Sequence, residues 1–206
     1  MTRRVFVPAF CAKRKTAFSL LELLLTLAII LILTTLYWGP SKASRQRALQ
    51  TSCQKNLEKL YLALSLYAND QRGRFPVVAG AKTSAEALDP LVPHYTSDTS
   101  VFVCPGSQDS QLPSGESIRN RRISYAYYVG RSPTNQDVLM TDRQINTEAK
   151  KAGQLAFSSD GKPPGSNHRQ YGGNLLSCDG QVNFCPPKSA IALPLSAGEA
   201  LLNPEP

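Results

Sequence analysis

The sequence predicts an α+β fold, a long N-terminal helix followed by a small antiparallel β-sheet head. Three observations carry this expectation. Residues 18–38 form an unbroken apolar window, residues 49–67 repeat apolar positions at helical spacing, and beyond residue 75 the pattern turns into short strand-like runs cut by turn residues. A chain of 206 residues has room for one ordinary domain and an anchor.

The window from Phe18 to Trp38 holds 21 residues, of which Glu22 alone is charged and Ser19, Thr26, Thr34 and Thr35 are otherwise polar. As a helix it would be about 32 Å long, enough to cross a hydrocarbon core of ~30 Å. The net charge of +8 is concentrated just ahead of it. Residues 1–17 contain Arg3, Arg4, Lys13, Arg14 and Lys15 and no acid, which leaves +3 for the rest of the chain. Basic residues before an apolar helix stay in the cytoplasm, so the sequence predicts a single-pass protein of the cytoplasmic membrane with everything after Trp38 outside. The basicity is a topology signal, and no nucleic-acid partner is expected from it.

Beyond the window, Gly39-Pro40 predicts a kink, because proline removes a backbone donor and clashes with the preceding turn. Leu49, Cys53, Leu57, Leu60, Leu64 and Tyr67 then form one apolar stripe, with Arg45, Arg47, Lys55, Glu58 and Lys59 largely off it. Residues 39–72 therefore read as an amphipathic continuation of the helix, packed on a sheet of the same chain and ended by the run Asn69 to Gly73.

Residues 73–185 read as the head, with strand-like runs at 101–104, 123–129, 138–141, 155–158, 175–178 and 181–184. The clearest is a hairpin across Asp179-Gly180, the pair preferred by a two-residue turn with both φ angles positive, which sets Cys178 opposite Gln181. Tyr125, Tyr127 and Tyr128 read as strand packing distributed over both faces. Residues 186–206, with five prolines, read as an extended tail.

The junction Lys13-Arg14-Lys15-Thr16-Ala17-Phe18-Ser19-Leu20-Leu21-Glu22 is the sharpest motif. A secretory signal is cut after its apolar stretch; here the small residue Ala17 precedes the stretch. Cleavage after Ala43 fits poorly because the apolar core ahead of it is longer than the usual ~7–15 residues and is interrupted by Glu22, and lipidation of Cys11 because no apolar run of useful length precedes it. The junction resembles the prepilin signature of type IV pilins and of type II secretion pseudopilins. A Gly is usual where Ala17 stands. The resemblance implies residues 1–17 as a leader, cleavage between Ala17 and Phe18 by a prepilin peptidase, and N-methylation of Phe18. It further implies a pilin-like fold and assembly with other pilin subunits on an inner-membrane platform, in contact with membrane lipid. Glu22 would meet the new α-amino group of Phe18 on a neighbouring subunit. An intramembrane carboxylate costs ~2.5–3.5 kcal/mol at a helix centre, so it needs such a reason or must snorkel to the headgroups. The run Val101 to Pro105, then Ser124 to Tyr127, then His168 through Asp179-Gly180, resembles prepilin-like proteins with a C-terminal H-x9-D-G element. Ten residues, rather than nine, separate His168 from Asp179 here.

No catalytic centre follows from that element, and the chain is not expected to be an enzyme. The alternative is a signal-anchored periplasmic enzyme or binding domain using a site near His168. His168, Cys178 and Asp179 suggest a cysteine nucleophile, and Cys104, His168, Cys178 and Cys185 a zinc site. The spacing from Cys178 to Cys185 is not that of a zinc knuckle, and no second pair supports it. No metal is therefore assigned and no cofactor expected, although major pseudopilins bind calcium in a head loop and Asp160 and Asp179 offer oxygen ligands. The reading of both as turn formers is preferred.

Removing Cys11 with the leader leaves Cys53, Cys104, Cys178 and Cys185 in a compartment where disulfides persist. Four cysteines allow three pairings. Their placement favours Cys104 bonding to Cys178 or Cys185, with Cys53 a buried free thiol on the helix stripe; the alternative is four buried, reduced thiols.

Overall fold

In the computed structural model the described residues are 19–37, 42–134, 136–143, 149–157, 167–193 and 195–205. They belong to two compact units, Met1–Ser41 and Lys42–Pro206.

In the first unit, leucine and isoleucine in near-continuous succession form helix α1, Leu20–Tyr37, which is apolar all round and exposes these side chains. The hydroxyls of Thr26, Thr34 and Thr35 donate to the carbonyls of Leu23, Leu31 and Ile32, at 2.9, 2.9 and 2.8 Å. The 18 residues of α1 rise about 27 Å. Among the described residues no helix is long and apolar enough to cross a membrane. Phe18 and Trp38, the ends of the expected span, and the Gly39-Pro40 kink lie outside those residues.

The second unit is built around helix α2, Lys42–Asp70. Cys53, Leu57, Leu60 and Leu64 of the predicted stripe are fully buried, while Leu49 and Tyr67 at its ends are half-buried. The stripe packs against a five-stranded antiparallel sheet of β1 (Tyr125–Val129), β2 (Val138–Asp142), β3 (Gly173–Ser177), β4 (Val182–Cys185) and β5 (Ala200–Leu202), in the order β4-β3-β2-β1-β5. The architecture is α+β, an N-terminal helical region followed by a small antiparallel sheet, in accord with the pilin-like expectation.

Both faces of the sheet are covered. Tyr125 and Tyr127 of β1 and Leu176 of β3 join the core beneath α2, together with Phe102, Ile118, Ile123 and Leu139. Ala126, Tyr128 and Leu175 point the other way and meet Ala156, Phe157 and Leu193. The period of two along β1 and β3 thus separates two apolar layers, while on β2 a register shift between Val138 and Met140 places Leu139 and Met140 in the same layer.

The expected strand at 155–158 is reduced, among the described residues, to a single bridge from Leu155 to Ala190 followed by a bend at Ala156 and Phe157, and three further expectations change. Residues 99–102 form a 3₁₀ turn rather than a strand, Thr99–Phe102, with the Asp98 carboxylate accepting from Ser100 N at 3.2 Å. A short apolar run fits either conformation, and the polar cap ahead of it selects the turn. The β3–β4 hairpin is where it was expected, but its loop has three residues. Ser177 N donates to Gln181 O at 2.9 Å, leaving Cys178, Asp179 and Gly180 to turn, and of these Gly180 alone has positive φ (+90°). A Cβ on Gly180 would lie 2.5 Å from the Tyr61 ring of α2, so the turn needs glycine twice over. Finally, the segment read as a tail supplies β5, which pairs with β1 through Tyr127–Leu202, Tyr128–Leu201 and Val129–Ala200.

A buried ion pair holds that last strand. Arg131 Nε lies 3.4 Å from Glu199 Oε2, both side chains are nearly inaccessible, and the guanidinium sits 4.1 Å over the Tyr128 ring while donating to Val138 O. Removing one member of such a pair strands the other charge. Glu199→Ala should cost about 3–5 kcal/mol in denaturant unfolding, and Arg131→Met combined with Glu199→Ala distinctly less than the sum of the two single changes.

Candidate functional site

Four side chains with metal- or proton-handling chemistry converge between α2 and the sheet. Cys53 comes from the second turn-pair of α2, Cys104 follows the 3₁₀ turn, Asp142 ends β2, and His168 caps a second 3₁₀ turn, Arg169–Tyr171. Their ligating atoms all lie within 4.8 Å of one another, and all four residues are buried. Cys104 Sγ is 3.3 Å from His168 Nε2, Cys53 Sγ is 3.3 Å from Asp142 Oδ1, and His168 Nε2 is 3.6 Å from Asp142 Oδ2.

The carboxylate is the most tightly held group. Asp142 Oδ1 accepts from Asn167 Nδ2 at 2.9 Å, and Oδ2 accepts from the backbone N of Asn174 at 2.7 Å and from its side chain at 3.2 Å. Burial lifts its pKa above the usual carboxylate range, opposed by His168 and by these amide donors. Burial equally lowers the His168 pKa, with Asp142 acting in the other direction. Tyr125, whose hydroxyl is 3.1 Å from Cys53 Sγ, is pushed well above the ordinary phenol value by burial and by Asp142. Gly106 gives the imidazole its space, since a Cβ there would come within 2.5 Å of the His168 ring.

Cys53 and Cys104 are joined as a disulfide, with Cα atoms 5.3 Å apart, inside the range that such a bond requires. This corrects the expected pairing of Cys104 with Cys178 or Cys185, both of which are free and buried. The reason lies in the 3₁₀ turn. Because residues 99–102 do not join the sheet, Cys104 is laid against α2, where Asn56 Nδ2 holds Val103 O at 3.0 Å. Cys178 sits in the hairpin turn, its backbone N bonded to Asp137 O at 2.8 Å and its carbonyl to the Tyr61 hydroxyl at 3.2 Å. Burial pushes the thiols of Cys178 and Cys185 up to about 11 each, which disfavours the thiolate a nucleophile needs.

The remaining predicted residues are apart from this cluster. Asp179 is exposed and accepts from Gln181 N at 3.0 Å, a turn-forming contact. Glu22 lies exposed in the first turn of α1. Ala17, Phe18 and Asp160 lie outside the described residues. Sequence reasoning missed Cys53 as a partner and Asp142 altogether. The available signal was an aspartate two positions after Met140 on the core-facing side of a strand, where an ionisable group is costly unless satisfied.

Residues 12–37 match the family model for the prokaryotic N-terminal methylation motif. The chain carries a prepilin-type N-terminal segment. The match covers the cleavage and methylation segment of type IV pilin-like proteins, supports a type IV pilin-like protein processed by a prepilin peptidase, and suggests membrane anchoring. No curated protein and no solved structure matches the chain.

The disulfide yields a direct check. In the unfolded, non-reduced protein Cys178 and Cys185 should alkylate while Cys53 and Cys104 stay unlabelled until reductant is added. Reduction removes a 51-residue closure and should lower unfolding free energy by about 4 kcal/mol in the chain-entropy model. Labelling of Cys53 without reductant would contradict the pairing.

Proposed function

We propose that this chain is a structural subunit, a pseudopilin, of a type II secretion or type IV pilus-like filament. The match of residues 12–37 to the methylation motif carries the reading. In it, a prepilin peptidase cuts between Ala17 and Phe18, Phe18 is N-methylated, and the mature chain waits in the inner membrane with its head outside the cytoplasm. It then joins other pilin or pseudopilin subunits through its N-terminal helix on an inner-membrane assembly platform.

The character of α1 supports this. A helix apolar on every side is built to be surrounded by apolar material, whether lipid or neighbouring helices. Its three threonine hydroxyls are satisfied by its own carbonyls, so they carry no unmet demand into such surroundings. Glu22 is the one charged side chain in α1 and sits in the first turn. There it can reach the α-amino group of Phe18 on an adjacent subunit and fix the axial stagger between them.

Mass spectrometry of the membrane-bound protein should find a chain beginning at methylated Phe18. An intact Met1–Ala17 segment on most of the protein would refute the reading and favour a signal-anchored enzyme or binding domain. Glu22→Ala should leave membrane insertion intact and reduce assembled filament, scored by shearing and electron microscopy, at least several-fold. Normal filaments from that variant would remove Glu22 from the assembly contact.

A further inference from the structure

A disulfide between α2 and the loop after Thr99–Phe102 needs two cysteines and nothing else. Here it is accompanied by a buried imidazole and a buried carboxylate aimed at the same point. Two sulfurs, one imidazole nitrogen and one carboxylate oxygen are a donor set that zinc takes in tetrahedral sites. Around such an ion, with bonds of 2.0–2.3 Å, neighbouring donors stand about 3.3–3.8 Å apart. Cys104 Sγ stands 3.3 Å from His168 Nε2, while Asp142 faces Cys53 Sγ with Oδ1 at 3.3 Å and His168 Nε2 with Oδ2 at 3.6 Å, so either carboxylate oxygen can serve as the fourth donor.

The carboxylate among the four donors is supported as a metal ligand's would be. Metal-binding carboxylates and imidazoles are oriented by outer hydrogen bonds. Asp142 is fixed by Asn167 and by both nitrogens of Asn174. Asn167 Nδ2 also donates to Ser124 O at 2.7 Å, tying the carboxylate's support to the residue preceding β1. Gly106, two residues beyond Cys104, lets that loop lie directly on the His168 ring.

We propose that Cys53, Cys104, Asp142 and His168 form a structural zinc site in the reduced chain, which the Cys53–Cys104 disulfide closes off in the oxidised chain. A dithiol reductant gives two electrons and two protons to the S–S bond, becoming a disulfide itself and leaving two protein thiols. One divalent ion then binds, and both thiol protons pass to solvent. With four protein donors and no access to solvent, the site has no open position for a substrate, so the ion cross-links rather than catalyses. Either state staples the helix to the sheet, one by a covalent bond and the other by a metal.

Cobalt(II) tests this in the full-length chain in detergent. The protein is reduced with a dithiol, freed of it by gel filtration under argon, and titrated with the metal. The expected result is about one equivalent bound, with the visible bands of tetrahedral cobalt, a near-ultraviolet sulfur-to-metal band, and loss of both on adding zinc. The non-reduced protein should bind none. Cys178→Ser with Cys185→Ser should bind like the parent. Asn167→Ala, which keeps all four donors, should weaken binding by about 10–100-fold, and His168→Gln by more than that. Cys53→Ser with Cys104→Ser should abolish the sulfur band. The proposal fails if the reduced protein keeps its native circular dichroism yet takes up no cobalt. It fails equally if bound cobalt shows no sulfur band, or if the sulfur band survives in the Cys53, Cys104 double variant.

Discussion

The head is organised around one buried carboxylate. Asp142 is wholly inaccessible, and a carboxyl group removed from water must be met by donors or by a cation. Its neighbours arrive from segments far apart in sequence. Asn174 lies on β3, Asn167 and His168 precede the 3₁₀ turn, and Cys53 lies on α2. None of these contacts exists unless the helix, the sheet and the connecting loops hold one particular arrangement. The apolar layers favour collapse without choosing its geometry; the demands of this carboxylate choose among the ways of collapsing.

The two units answer opposite environments. The 42–206 unit hides apolar surface on both faces of its sheet and keeps polar side chains inside, among them Asp142 with its amide donors. Helix α1 turns its leucines and isoleucines outward and keeps its threonine hydroxyls to itself. Helix α1 lies within residues 12–37, which match the methylation motif.

Much of this was legible in the sequence because it depends on local pattern. The stripe of α2, four of the five strands and the place of the β3–β4 hairpin follow from periodicity and turn chemistry. What stayed hidden depends on contacts between distant segments. Strand β5 is three residues long and sits among prolines, and its pairing with β1 is accompanied by the buried contact of Arg131 with Glu199, 68 positions apart. The cluster was hidden for a related reason. Val101–Cys104 has strand-like composition, yet Val101 and Phe102 close the 3₁₀ turn Thr99–Phe102 and Cys104 follows it against α2, so the partner of Cys104 changed along with the conformation of the segment. Asp142 carries no local motif, and only its placement beneath α2 gives it significance.

The pairing of β5 with β1 also sets an order of events during synthesis. Strand β1 is flanked by β2, its near neighbour in sequence, and by residues 200–202 at the far end of the sheet-forming region. As the chain emerges, β1 can pair with β2 early, while its other edge, at Tyr127 to Val129, waits for some seventy further residues. An unpaired strand edge rich in aromatic side chains is the kind of surface on which nascent chains join one another. The head is therefore most exposed to wrong association just before its last strand arrives. Completion of the sheet thus depends on a contact between distant segments of the chain.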